Sequence, residues 1–337
     1  MSDSIYLILS GAAVALLSAL LTAALIFVLR PFLTHYALAK PDARSSHRVP
    51  TPQWGGIAVV AATVTITLTA AWIIGGLDGR LLTVCLAIIA LAIVGGVGDV
   101  HLMPVLPRLL LQALCVGACL AAIPADLRAA PFLPYWAERI LLLFGAVWFV
   151  NLVNFMDGID WMTVAEVVPL TGAIALLGLY GTIGVVPALI ATALLGSIIG
   201  FAPFNKPVAR LFLGDVGSLP IGLLLAWLLI EVAGSGHLAA ALILPLCYIA
   251  DATITLARRV AGREAFWKAH RTHYYQSATD NGFTVPEIVA RVFGVNLALA
   301  ALALITVAVA STILDLLALA SAIAIVVWLL AIFARNK

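Results

Sequence analysis

The chain has 337 residues, of which 64% are hydrophobic and 10% charged, with a formal net charge of +2 and a mean hydropathy of +1.15. Soluble domains are about half apolar and a quarter charged, so this composition excludes a soluble globular protein. An all-α, polytopic integral membrane protein is expected, forming a single domain over 1–337 with no room for a separate soluble module and no nucleic-acid partner.

A helix needs about 20 residues to cross a ~30 Å hydrocarbon core. Apolar runs divided by Gly, Pro and charge supply about eleven such spans, near 5–29, 55–74, 81–97, 108–123, 139–153, 163–180, 183–201, 218–232, 238–257, 288–310 and 316–333. The first follows Met1-Ser2-Asp3-Ser4, which lacks the basic start of a secretory signal, and its apolar core is too long for one, so a retained span is expected. Cys85, Cys115, Cys119 and Cys247 lie inside apolar runs without CxxC spacing and read as small core residues. No internal repeat and no inverted pair of broken spans stands out. Of the 18 Lys and Arg, only Arg80, Arg128 and Arg139 fall on one side of this threading. The crowded side is then cytoplasmic, which puts the N-terminus outside and the C-terminus inside.

The cytoplasmic pieces become 31–54, 98–107, 154–162, 202–217 and 258–287, and they bring four carboxylates to one face: Asp99, Asp157 with Asp160, and Asp215. Charge at a bilayer boundary is costly and marks a functional site. In Asn151-Leu-Val-Asn154-Phe-Met-Asp157-Gly-Ile-Asp160 the two amides are three residues apart and share one side of a helical turn, while Gly158 lets the chain break and pair the carboxylates. Such oxygens suit a hard cation such as Mg²⁺, and capping of the next helix is the competing reading. Gly214-Asp215-Val216-Gly217-Ser218 sets a carboxylate between glycines at a span start, where a backbone can approach a phosphate closely. The turn Gly98-Asp99-Val100-His101 adds the remaining carboxylate.

Two loops supply cations. His270, Arg271 and His273 offer donors for a diphosphate, whereas attraction to lipid headgroups is the plainer alternative. Trp267, Tyr274 and Tyr275 suit base stacking or an interfacial aromatic belt equally. Lys40, Arg44 and His47 sit in a further basic stretch that ends in a rigid Pro and Gly turn at Gly56. Asp251 precedes Arg258 and Arg259 and reads as a structural partner of an arginine. Glu166 and Glu231 are assigned no role.

The stretches Lys40 to Gly56, Gly98-Asp99, Asn151 to Asp160, Leu213 to Ser218 and His270 to Gln276, in this order, resemble the polyprenyl-phosphate N-acetylhexosamine-1-phosphate transferases, relatives of the phospho-MurNAc-pentapeptide translocase. The form of the last stretch is most similar to the subgroup that starts O-antigen and related lipopolysaccharide glycans. The resemblance implies a cytoplasmic-face active site in a bacterial inner membrane, transfer of a sugar phosphate from a UDP-N-acetylhexosamine to undecaprenyl phosphate, release of UMP, and Mg²⁺ as cofactor with Mn²⁺ as a substitute. The sugar is N-acetylglucosamine or a 6-deoxy sugar such as N-acetylfucosamine or N-acetylquinovosamine, and the relatives are often homodimers.

By the same resemblance, Asp215, Asp99 and Asn154 hold the metal, and Asp157 and Asp160 belong to the nucleotide and metal region. His270 and His273 contact the diphosphate or shape the sugar pocket. Lys40, Arg44, His47, Asn151, Asn154, Trp161 and Arg271 contact substrate. Two positions depart from the family pattern: Val100 replaces a second aspartate, and Trp161 replaces a glycine, where its indole is expected to narrow the pocket. The acceptor phosphate has a second pKa of about 6 and is largely anionic at neutral pH, so Asp99 is expected chiefly to orient it, with general-base action second. A lipid-linked solute transporter and a silent polyprenyl-phosphate scaffold are the competing functions.

Overall fold

The computed structural model describes residues 2–39, 50–101, 103–264 and 271–337. Among them, nine helices are long and apolar enough to cross a membrane: α1 (Ser2–Tyr36), α2 (Gly55–Ile73), α3 (Gly79–Val100), α4 (Val105–Ala122), α5 (Tyr135–Met156), α6 (Met162–Leu179), α8 (Asp215–Gly234), α12 (Val285–Val309) and α13 (Thr312–Phe333). The apolar α7 (Val185–Phe201) is shorter, at 17 residues. Strands β1 (Leu38–Ala39) and β2 (Thr51–Pro52) form a two-residue antiparallel ladder after α1. The all-α polytopic class expected from composition is the observed one.

The expected span 238–257 is not one helix. It is α9 (Leu238–Ile243) and α10 (Leu246–Ala261), separated at Leu244-Pro245. Proline has no N–H to continue the ladder and its ring clashes with the preceding turn. Helix α9 packs on α8 and α12, and α10 on α5 and α13, so the described residues show nine long apolar helices and the shorter α7 where eleven spans are expected. The expected polar pieces are also shorter than read from sequence. Helix α1 runs through Pro31 to Tyr36, Asp99 lies on the last helical turn of α3, and a short helix α11 (Tyr274–Asp280) interrupts 258–287. All four cysteines are buried and free.

Helix α8 is the axis of the bundle, buried from Val216 to Ala233 and packed by α2, α3 and α5. Glycines set these contacts. A Cβ on Gly56 would lie 2.2 Å from Gly217 Cα, and one on Gly95 would lie 2.3 Å from the Asp215 carbonyl oxygen. Within lipid, where apolar burial gives helices no net drive to associate, such close backbone approach replaces it.

The three off-side cations are neutralised within the protein. Arg80 pairs with buried Glu231 and lies 5.4 Å over Trp227. Arg128 pairs with buried Glu138, and Arg139 donates to the Leu120 and Pro124 carbonyls at 3.2 Å each. Glu166, also buried, accepts from Asn296 at 2.7 Å across α6 and α12.

Replacing Gly95 by Val should force α3 off α8 at the level of Asp215. Overpacking of this kind costs about 1–3 kcal/mol, visible as a lowered thermal midpoint in detergent. Substitution at Gly117, which has open space around it, should leave the midpoint in place.

Candidate active site

Asp99 reaches from the end of α3 to the start of α8. Its Oδ1 accepts from the Asp215 amide at 3.2 Å and its Oδ2 from the Val216 amide at 3.4 Å. These are N–H groups that a helix cannot satisfy internally, and the positive end of the helix dipole favours the carboxylate. Asp99 therefore caps α8 from a neighbouring helix. Val100, one residue on, is 58% exposed and points away from this contact.

Asp215 is held from two further sides. Asn154 Nδ2 donates to Asp215 Oδ1 at 2.7 Å and to Ser218 Oγ at 2.8 Å. Arg108 Nη1 lies 3.2 Å from Asp215 Oδ2, and its Nη2 donates to Asn154 Oδ1 at 2.9 Å. Arg108, Asn154 and Asp215 thus close a triangle joining α4, α5 and α8. Sequence reasoning used Arg108 only as a topological charge, although its place one turn into a span that starts beside Asp99 was a usable signal. Asn151 is not part of the triangle. Its amide exchanges hydrogen bonds with buried Gln112, at 2.6 and 3.3 Å, one turn deeper in the membrane.

The α5–α6 turn supplies the other carboxylates. Asp157 follows the last turn of α5 and accepts from the Thr163 hydroxyl. Asp160 is buried and its Oδ2 accepts from the Ala209 amide at 2.9 Å. Asn205 binds the same turn to the 202–213 loop, accepting from the Trp161 amide at 2.8 Å and donating to the Leu211 carbonyl at 3.0 Å. The Trp161 indole donates to the Ala202 carbonyl at 2.6 Å. It anchors the loop, so the pocket narrowing expected from its size is not what it does. Trp54 and Trp161, which start α2 and α6, both have left-handed backbones, with φ of 75° and 63°. Bulky residues seldom adopt that region outside constrained sites.

Asp99, Asp157, Asp160 and Asp215 all line one cleft of about 220 Å³, closed by Gln53, Asn205 and the Leu213–Asp215 turn. Burial pushes the Asp157 carboxyl up to about 7; the Thr163 hydrogen bond opposes this shift, and the nearby charges of Asp215, Asp99 and Asp160 add to it. So much negative charge in one cleft, where Arg108 contacts Asp215 among the described residues, fits a divalent ion. Among the described residues no group of three His, Cys, Asp or Glu side chains is placed to hold one unaided. Mg²⁺ does not require that, since it commonly takes one or two carboxylates and completes its octahedron with substrate phosphates and water.

The histidine segment lies behind the cleft. Asp251 accepts from the Tyr274 and Tyr275 amides at 2.9 and 3.0 Å and lies 3.4 Å from His273 Nδ1. It is structural, as expected, but its partners are the start of α11 and a histidine. The arginines are used elsewhere, Arg258 over the Tyr274 ring and Arg259 with Glu264. His273 is 2% exposed and sits between Phe155 and Tyr275 rather than on the cleft wall. Buried Tyr275 is neither a belt residue nor a stacking platform. Its hydroxyl donates to the Phe155 carbonyl at 2.9 Å, against Gly158, where a Cβ would come within 2.1 Å. Arg271 donates to Thr279 at 2.8 Å and lies 3.8 Å from Asp280. Lys40, Arg44, His47, Trp267 and His270 lie outside the described residues.

The helix ends of this apolar bundle thus gather four carboxylates around one small cleft, which is the candidate active site. Residues 81–233 match the family model of glycosyl transferase family 4. The chain is similar to the phospho-N-acetylmuramoyl-pentapeptide-transferase of Leuconostoc mesenteroides, with 30% identity over 203 residues, 54% of this chain and 62% of that protein. The protein of the same name from Geobacillus kaustophilus is 29% identical over 193 residues, 51% of this chain and 58% of the relative. For that of Enterococcus faecalis the figures are 30% over 148 residues, 41% and 43%. The chain thus spans less than two thirds of the length of these curated relatives. The stretch 81–233 that is similar to glycosyl transferase family 4 includes Asp99, Arg108, Asn154, Asp157, Asp160 and Asp215.

Two outcomes follow. Asp251→Ala should release the Tyr274 and Tyr275 amides, costing about 1–3 kcal/mol locally, and hydrogen exchange at those two amides should accelerate while Asp251→Asn gives a smaller effect. A carboxyl whose pKa is higher folded than unfolded, as at Asp157, favours the folded state in its protonated form. That contribution is complete below the unfolded value of about 4 and is lost as pH rises through about 7. In metal-free protein, Asp157→Asn should flatten the fall of the thermal midpoint across that interval.

Proposed function

We propose that the protein is a membrane phosphoglycosyltransferase that moves N-acetylhexosamine-1-phosphate from a UDP-sugar to undecaprenyl phosphate. The observation that carries this reading is the convergence of Asp99, Asp157, Asp160 and Asp215 on one cleft at the helix ends, inside the segment matched by the family 4 model. The similarity to phospho-N-acetylmuramoyl-pentapeptide-transferases supports the same reaction class.

In the proposed reaction an oxygen of the lipid phosphate attacks the sugar-bearing phosphorus of the donor. The bond from that phosphorus to the bridging oxygen breaks, UMP departs with the electron pair, and a polyprenyl diphosphate sugar remains. Such transfers need mainly positioning and charge stabilisation. Asp215 and Asn154 face each other across α8 and α5 and, with Asp99, would hold Mg²⁺ or Mn²⁺, which when bound neutralises charge on the diphosphate and the leaving UMP. Arg108, already against Asp215, is placed to turn to a phosphate oxygen once a metal compensates that carboxylate. Asp157 and Asp160 fix the α5–α6 turn and the 202–213 loop that closes the cleft. Asp99, tied to α8, orients the acceptor.

By the positive-inside rule the cleft faces the cytoplasm, which suits a nucleotide-sugar donor and a bacterial inner membrane. An O-antigen or related glycan, begun with N-acetylglucosamine or a 6-deoxy sugar, is the proposed destination. The cleft lies at helix ends rather than at the mid-bilayer depth of a transport path.

UMP release should require undecaprenyl phosphate, one UDP-N-acetylhexosamine from a panel, and Mg²⁺, and Asp215→Ala should reduce it by roughly a hundredfold or more. Absence of UMP from folded protein with every donor would overturn the proposal. With Asp99→Asn, a pH-independent loss is expected of a positioning role, whereas a residual rate that climbs with pH would establish a base.

A further inference from the structure

Glu166 is an ionisable side chain that the proposed chemistry leaves unused. It is fully buried in α6, and its Oε2 accepts from the Asn296 amide on α12 at 2.7 Å, so its partner is an amide and not a cation. Asn296 is itself fixed, donating to the Ala165 carbonyl at 2.9 Å. An ionisable group inside a membrane helix is costly and is retained where it serves a function.

The neighbours of Glu166 lead to the cleft. Thr163 lies three residues earlier on the same face of α6, and its hydroxyl donates to Asp157 Oδ1. Tyr248, in the first turn of α10, is fully buried. Its hydroxyl interacts with the Thr163 hydroxyl and with the Glu166 and Asp157 carboxyls. Tyr248 Oη and Glu166 Oε1 are both buried atoms without a completed hydrogen bond, although buried polar groups are nearly always paired. Unspent hydrogen-bonding capacity thus stands directly behind the contact that holds Asp157, one of the carboxylates lining the cleft.

Counting hydrogens gives the chain a direction. The Thr163 hydroxyl has one, spent on Asp157, so toward Tyr248 it can only accept. Tyr248 has one, which can go to Thr163 if its own oxygen receives a donor. Glu166 supplies that donor as a neutral acid, the form that a buried carboxyl without a cation takes. We propose that Glu166 and Tyr248 are positioning residues, donating in sequence from Glu166 through Tyr248 and Thr163 to Asp157 Oδ1, so that the other Asp157 oxygen is presented to the substrate. The inference rests on the transferase reading for what fills the cleft, and it adds two residues that stand behind the cleft wall. A merely structural Tyr248 predicts the opposite, because removing a buried hydroxyl that lacks a partner is neutral or stabilising.

Two measurements on the full chain in nanodiscs test it. In the first, UMP release is followed at varied UDP-sugar. Tyr248→Phe should lower kcat/KM by about three- to tenfold, the worth of one hydrogen bond, while the thermal midpoint holds or rises. Glu166→Gln keeps a donor for Tyr248 and an acceptor for Asn296, so it should stay within about twofold of wild type, whereas Glu166→Leu should match Tyr248→Phe. Adding Tyr248→Phe to Thr163→Val should cost nothing further, since the effect passes through Thr163.

The second measurement needs no turnover. Infrared difference spectra against Asp157→Asn, taken in each background, isolate the Asp157 carboxyl band, which moves when a hydrogen bond to it weakens. Thr163→Val and Tyr248→Phe should both shift the band, and Leu317→Ala, on the exposed face of α13, should not.

An unmoved band in Tyr248→Phe would overturn the network whether or not the Thr163 variant retains activity. So would additive losses in the double variant, a Glu166→Gln loss as large as that of Glu166→Leu, or a midpoint that falls together with the activity of Tyr248→Phe. Each of these leaves the transferase reading standing. A wild-type protein that releases no UMP with any donor would sink that reading, and the infrared band would still decide whether Tyr248 braces Asp157.

Discussion

The contact between the Asp99 carboxylate and the first two amides of α8 governs the rest of the site. A cap of this sort contributes only about 0.5–2 kcal/mol, yet it fixes the rotation and height of the one helix that every neighbour uses as a reference. With α8 so placed, Asp215 points at Asn154, Ser218 closes the same amide, and Gly56 and Gly95 meet backbone instead of side chains. Adding a methyl at either glycine would separate the helices before any polar contact could form. The polar site and the apolar packing are therefore one constraint seen from two sides.

Much of this was legible in the chain because the membrane makes sequence patterns unusually strict. Runs of about 20 apolar residues have few alternatives to spanning helices, and carboxylates at their ends stand out against that background. Asp99, Asp157, Asp160 and Asp215 were therefore visible, as was Asn154. What periodicity cannot reveal is which partner a polar side chain meets. Asn151 is three residues from Asn154 and would share its face of an isolated helix, but Gln112 on α4 takes its amide. His273 reads as an accessible donor until Asp251 and the turn into α11 draw it inside. Trp161 reads as an obstruction in the pocket, although a carbonyl at Ala202 decides where the indole goes. Each of these depends on a contact more than twenty residues away in sequence.

The rear of the molecule shows the opposite economy. Three cations there escape the positive-inside bias, and each is matched by a carboxylate or by helix-end carbonyls. Removing one partner of a buried pair is costly because the other is left uncompensated, so these contacts hold α3 to α8 and the α4–α5 connection to α5. The carboxylate face is built differently. Among the described residues, four carboxylates share one cleft there and Arg108 contacts one of them, whereas each of the rear cations has its own carboxylate or carbonyl partner.

That asymmetry bears on what Asp99 can do. A general base must be free to swing toward the proton it takes, whereas both Asp99 oxygens accept from amides whose loss would free the start of α8. An acceptor phosphate that is already largely anionic also has little proton to give. Val100, exposed beside it, supplies no second carboxylate on the same turn. Geometry, acceptor chemistry and the missing partner all point the same way. In the proposed reaction the carboxylate would then act by holding the start of α8 in place.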